Sequence, residues 1–187
     1  MNKTKKENSM YLRPYKKGDA ATILSWCESE TVFRKWTSDR YDHYPITAEE
    51  MNRKYFDFNG DCAEADNFYP MTACDESGIV GHFILRYVNG NHSSLRIGFV
   101  IVDNSKRGLG FGKKMIQLAI DYAFRIAGAG RLTIGVFENN EAAYHCYKAA
   151  GFHDVPQESG MICELFGEKW RILELALDRN DYFSEKK

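Results

Sequence analysis

"LRIGFVIVDNSKRGLGFGKKMIQLAIDYAF", residues 95–124, runs from a β-rich stretch through a turn and three alternating glycines into a helical pattern. A strand before the glycines and an amphipathic helix after them bring loop N–H groups and the positive helix end to one point, where an anion is favoured. Spacing decides which anion. A P-loop needs glycine five residues before Gly112, where Arg107 stands, and Ser or Thr after Lys113, where Lys114 stands. A dinucleotide fingerprint begun at Gly108 puts its third glycine on Lys113. Both fail, and R-x-x-G-x-G, Arg107 to Gly112, remains. Met115, Ile116, Ala119, Ile120, Ala123 and Ala127 share one stripe, which predicts a helix over 113–127 stopped by Gly128 and Gly130.

Downstream, "RLTIGVFEN" reads as a strand and "EAAYHCYKAA" as a short helix. Asn140 is its cap, Ala143, Tyr147 and Ala150 share a face, and Gly151 takes the C′ position. Upstream, residues 69–104 alternate β-rich runs with turn clusters at "DESG" and "NGNHSS", predicting three antiparallel strands. Nearer the start, "MYLRPYK" reads as a strand and "KGDAATILSWCESE" as a helix capped by Asp19, with Ala21, Leu24 and Cys27 on one face and Ile23 and Trp26 beside it. "YPITAEEMNRKYFDF" reads as a second helix opened by a Thr47/Glu50 capping box. "GFHDVP" and "KWRILELALD" are the last strands, with "LFGEK" as a turn. The order is β α α β β β α β α β β, an α/β mixture.

The chain has 187 residues, 44% hydrophobic and 27% charged, a composition that folds. Its 25 basic and 26 acidic residues leave a net charge of −1, so no overall field points to nucleic acid. "MNKTKKEN" is not followed by an apolar h-region and no run approaches the ~20 apolar residues of a membrane span, so a cytoplasmic protein without a membrane partner is expected. The five cysteines form neither CxxC nor a zinc pattern and read as reduced thiols, with no metal. Residues 1–187 are taken as one domain with flexible tails at 1–9 and 180–187, a monomer or homodimer.

The R-x-x-G-x-G loop, followed one strand later by N-x-x-A-x-x-x-Y-x-x-x-G-F at Asn140 to Phe152, resembles the GNAT N-acetyltransferase superfamily. The resemblance runs from Met10 to Asp178, with residues 28–69 matched only as two helices and loops. It implies a GNAT-like α+β fold, a mixed, mostly antiparallel sheet of about seven strands with about four helices. In that family the donor is acetyl-CoA and two strands splay apart to hold it. Its pyrophosphate would lie on the backbone of Gly108, Leu109, Gly110, Phe111, Gly112 and Lys113, with Arg107 at the rim. Pantetheine would run along Val100, Ile101 and Val102 and meet Asn140. Tyr147 takes the position of the general acid that protonates the departing thiolate.

The acceptor implied is a primary amine of a small molecule or a peptide N-terminus. Ten acidic and five basic residues among many aromatics between Glu28 and Tyr69 suggest that it is cationic, against the plainer reading of a solvated acidic surface over an aromatic core. Nothing selects a general base among Glu28, Glu30, Asp39, His82, Glu138 or a water chain. Periodicity alone would make Tyr147 a core tyrosine and Asn140 only a cap. The competing function is a catalytically inactive CoA-binding module on the same fold. Asn104 stands where many relatives have proline.

Overall fold

A computed structural model describes residues 9–88, 90–156 and 161–184. In chain order its elements are β1 (Tyr11–Pro14), α1 (Ala20–Ser25), α2 (Glu30–Thr37), α3 (Ala48–Phe56), β2 (Tyr69–Asp75), β3 (Gly78–Val88) and β4 (Asn91–Val102). There follow α4 (Phe111–Asp121), extended by a π-helical turn at Tyr122–Ile126, then β5 (Arg131–Phe137), α5 (Glu141–Ala149), β6 (His153–Asp154), β7 (Met161–Leu165), β8 (Glu168–Asp178) and α6 (Arg179–Ser184). One sheet runs β1-β2-β3-β4-β5-β8-β6, with β7 also on β8. Only β4 and β5 pair in parallel.

The predicted α4 stripe is buried: Met115, Ile116, Ala119, Ile120 and Ala123 pack on Leu95 and Ile97 of β4 and Leu132 and Ile134 of β5. Full burial of each large aliphatic side chain contributes about 1.5–3 kcal/mol, which fixes α4 beneath the β4–β5 pair. The opposite face carries α1, α2 and α3 over an aromatic core that includes Tyr15, Phe33, Trp36, Tyr41 and Tyr55. The aromatics of residues 28–69 are therefore mainly core.

Thr47 and Glu50 form the expected reciprocal box: Glu50 N–H donates to Thr47 Oγ1 at 3.2 Å and Thr47 N–H to Glu50 Oε2 at 2.7 Å. Gly151, at φ +109°, closes α5 with bonds from its own N–H to the Lys148 carbonyl and from Phe152 N–H to the Tyr147 carbonyl.

Four expectations change. The first helix breaks after Ser25 and leaves Ala21 exposed, and a separate α2 starts where Ser29 Oγ accepts Val32 N–H. Asp19 does not cap α1. Its buried carboxylate accepts the Arg13 fork at 2.7 and 2.9 Å, Thr72 Oγ1 at 2.9 Å and Lys16 N–H at 2.9 Å. Burial opposes ionisation, but these donors outweigh it and hold the pKa below the ordinary carboxylate value. Asn140 makes no side-chain cap bond. Residues 180–184 belong to α6 rather than a flexible tail, because Tyr182 is buried beside Phe124 and its hydroxyl donates to Asp121 at 3.0 Å. Residues 1–8, 185–187 and Asn89 of the predicted "NGNHSS" turn lie outside the described residues.

Candidate active site

β4 and β5 pair only from Ser94↔Arg131 to Ile97↔Ile134. Beyond that point β5 stays with β8 through Phe137, whereas β4 stays with β3 through Val102, so the two strands part. A register shift between His82 and Ile84 puts a bulge in β4, where Phe99 takes φ +50°. α2 bridges the opening. Trp36 Nε1 donates to the Phe99 carbonyl at 2.7 Å, and Lys35 Nζ donates to the Asn139 carbonyl just past β5 at 2.8 Å.

The parted strands open into a cleft of ≈ 690 Å³. It is lined by Val100, Ile101, Val102, Arg107, Gly108, Gly110, Gly112, Lys113, Asn140 and Tyr147, all expected from the sequence. Leu109 and Phe111 do not line it. Leu109 points to solvent, 67% exposed, and Phe111 packs against the core with Lys106 Nζ 5.2 Å over its ring. Unforeseen wall residues are Val32, Lys35 and Trp36 of α2 and Ala142, His145 and Cys146 of α5.

The loop suits an anion. Gly110 caps α4 at φ +83°, ψ −1°, a left-handed conformation that glycine adopts without strain. Cβ atoms built at Gly108 or Gly110 would meet nothing of the protein within 4 Å, so these positions face free space. Among the described residues the N–H groups of Phe111, Gly112 and Lys113, first turn of α4, have no carbonyl partner. Gly112 serves packing instead: a Cβ there would lie 3.4 Å from Cys146 Sγ, so its absence lets α4 and α5 approach. Asn104 explains its departure from proline by donating from Nδ2 to the Trp26 carbonyl at 3.1 Å, which ties the loop to α1.

Tyr147, 6% exposed, lines this cleft. Its hydroxyl has no hydrogen-bond partner among the described residues. Burial pushes its pKa up, so it carries its proton at neutral pH. An open anion cradle, a strand edge lacking its neighbour and a protonated phenol thus share one cleft.

The sequence profile described as an acetyltransferase (GNAT) domain matches residues 9–153. The chain belongs to the GNAT acetyltransferase family. It transfers an acetyl group from acetyl-CoA to an amine. Similar proteins include the spermidine N(1)-acetyltransferase of Escherichia coli strain K12, 23% identical over 185 residues, 96% of this chain and 91% of the relative. The Vibrio cholerae spermidine N(1)-acetyltransferase is 24% identical over 159 residues, 85% of each chain. A crystal structure of spermidine N-acetyltransferase from V. cholerae with CoA and spermine superposes with a TM-score of 0.75 at 20% identity, over 93% of this chain and 98% of that one. A dodecameric structure of the V. cholerae enzyme gives 0.72 at 19% identity, over 95% and 98%. At these identities the solved structures establish the fold.

None of the acetyltransferase's five suggested bases lines this cleft or a second, smaller one. His82 is completely buried, bonded through Nε2 to Tyr55 Oη at 2.9 Å, and burial drives its pKa down to about 3. Glu30 pairs with Arg34, Glu138 is exposed near Arg171, and Glu28 and Asp39 are exposed. The second cleft, of ≈ 330 Å³, backs on to Phe99. Of the ten acidic residues between Glu28 and Tyr69 only Asp61 and Glu64 line either cleft, and they pair with Lys54 and His92. No helix among the described residues is long and apolar enough to cross a membrane.

Proposed function

We propose that this chain is a single acetyltransferase domain that acetylates a primary amine of a small molecule or peptide, with Tyr147 as general acid. The observation that carries the assignment is the Tyr147 hydroxyl, unbonded and protonated, in the same cleft as the glycine cradle. Backbone amides of Phe111, Gly112 and Lys113, with Arg107 at the rim, would hold the donor's phosphates. The one-sided edge of β4 at Val100, Ile101 and Val102 offers its unpaired N–H and C=O groups to an extended amide chain, and Asn140 offers its side chain from the facing wall. Acetyl-CoA supplies the activated acyl group; this chain's residues orient it and manage the protons.

Two proton tasks arise: the amine must reach the thioester as free base, and the sulfur must gain a proton as it departs. Tyr147 suits the second. Its raised pKa keeps the proton in place until negative charge grows on sulfur, and its buried setting strengthens that hydrogen bond. None of the five suggested bases lines either cleft, so a water chain is the reading for the first.

The acceptor's reactive group is an ammonium ion at neutral pH, in keeping with relatives named for spermidine. All five cysteines are free, which suits a reducing cytoplasm. Exposed Met161, Ile162 and Phe166 on and beside β7 form an apolar edge that favours self-association beyond the monomer or homodimer first expected, as in the dodecameric relative. Thiol release from acetyl-CoA is measured across diamines, amino acids, peptides and aminoglycosides, beside calorimetric titration of CoA. Turnover with CoA binding is expected. Binding without turnover on any amine would favour the inactive module, and absence of binding would remove both readings.

A further inference from the structure

The smaller cleft carries an unbalanced charge. Arg86 on β3 stands directly opposite Arg96 on β4 in the antiparallel register, and both line the cleft together with Arg40. Like charges facing each other across a strand pair are destabilising. Arg96 is satisfied: its Nη2 donates to Glu174 Oε2 at 2.9 Å and Nη1 to the other oxygen, a bidentate pair. Asp61 pairs with Lys54, and Glu64 is held at the rim by contact with His92 Nε2 at 2.8 Å and Asn67 Nδ2 at 3.4 Å. Arg86 is not satisfied in this way. It is half-buried, and among the described residues no carboxylate or carbonyl accepts from its guanidinium. Burial first, and then the charge of Arg96, lower its pKa from the ordinary arginine value. Arg40 adds a third positive group, whose ion pair among the described residues is with its sequence neighbour Asp39 at 3.9 Å.

The position of this cleft gives the surplus charge a use. It is bounded by Gly98 and Phe99, whereas the donor cleft begins at Val100 on the same strand, with Trp36 bonded to the Phe99 carbonyl between them. The two clefts back on to each other across the β4 bulge. A guanidinium fork is matched to an oxyanion with two oxygens, and an uncompensated half-buried one is a standing cost that a bound anion removes. A cleft of ≈ 330 Å³ has room for a molecule of amino-acid size.

We propose that Arg86, with Arg96 and Arg40, binds an anionic oxygen group of the acceptor, so that the substrate is an amine that also bears a carboxylate or phosphate rather than a polyamine. This rests on the acetyl-transfer reading of the larger cleft. The amine lies toward the Phe99 bulge and the acyl donor, and the anion lies toward Arg86.

Matched pairs that differ by one anionic group test it: 1,5-diaminopentane against lysine, 1,4-diaminobutane against ornithine, and ethanolamine against phosphoethanolamine. The anionic member of at least one pair is expected to have a tenfold or greater advantage in kcat/KM, the carboxylate and phosphate arms identifying the group. Arg86→Gln is expected to remove that advantage while KM for acetyl-CoA and CoA affinity stay as in the unmodified protein. Its urea midpoint should not fall, since a merely structural arginine would destabilise on removal and this one relieves repulsion. Diamines used as well as their acidic partners, or an Arg86→Gln protein with an unchanged pair ratio, would overturn the proposal. The same pairs are titrated calorimetrically with and without CoA. An anion preference there supports the Arg86 site even if no amine turns over, and its absence overturns it; failure of CoA itself to bind would instead count against the larger cleft.

Discussion

The two clefts that meet at the Phe99 bulge are built from different materials. The larger, on the proposed reading, is a backbone site: N–H and C=O groups of β4 and of the Arg107 to Lys113 loop, exposed by strand parting and by glycines, would face the ligand. The smaller is a side-chain site: its character comes from Arg40, Arg86 and Arg96 brought from three separate segments. A backbone site constrains sequence locally, because only glycine leaves a close approach open at adjacent positions. A side-chain site can be assembled from residues far apart in sequence, and so leaves no motif.

The largest expected effect lies in the larger cleft. Tyr147→Phe keeps the ring and its packing and removes the proton, so kcat should fall by roughly 10²- to 10⁴-fold with CoA affinity nearly unchanged. Single-turnover rates and a CoA titration check both halves, and an unaltered rate would take Tyr147 out of the mechanism. Gly110→Asp follows. Its Cβ would meet no protein atom within 4 Å, and Asp tolerates the left-handed conformation, so the fold should hold. A carboxylate at the α4 N-terminus competes with and repels phosphate, and CoA affinity should weaken about tenfold or more. A folded variant with full affinity would place the phosphates elsewhere.

Legibility followed the same division. The glycine loop, the α4 stripe, the Thr47 box and the α5 motif were readable because each is a local constraint of backbone geometry or helical period. α2 was not, although Ser29 as cap and Val32, Phe33 and Trp36 as its inward face were present; the short break after Ser25 let the preceding helix seem to run on. The missing helix is the one that bridges the donor cleft through Lys35 and Trp36. β7 escaped notice because its exposed Met161 and Ile162 blur the alternation marked by buried Cys163 and Leu165. Asp19 carried a genuine cap signal, overridden by a guanidinium six residues earlier, and only the folded β1–β2 pairing reveals that competition. Leu109 and Phe111 show the limit within the motif itself, since the loop's backbone is specified and two of its side chains turn away.

A smaller effect separates the aromatic core from the clefts it supports. His82 is fully buried and its pKa is depressed to about 3, against 6.5 when unperturbed. The unfolded chain therefore binds this proton at a higher pH than the folded one. The contribution is complete above about pH 6.5 and is lost as pH falls from there toward 3, with a slope of at most about 1.4 kcal/mol per pH unit. Urea unfolding at a series of pH values should show this slope, and His82→Gln should reduce it by one proton's worth. An unchanged slope would mean that His82 titrates in the folded protein much as in the unfolded chain, so that burial does not depress its pKa.

The smallest expected effect is the most discriminating about charge. Asp39 and Asp42 lie in the acid-rich stretch that suggested a cationic acceptor, yet both are exposed and line neither cleft. Both carboxylates are solvent-exposed, where an ion pair such as that of Asp39 with Arg40 at 3.9 Å contributes little. Neutralising both to asparagine should leave kcat and acceptor KM within about twofold, and stability within about 0.5 kcal/mol. The comparison is made at low and at physiological ionic strength. If KM for an amine acceptor rose several-fold at low salt and recovered at high salt, the acidic surface would be steering substrate. Specificity would then be divided between that outer field and the arginines inside.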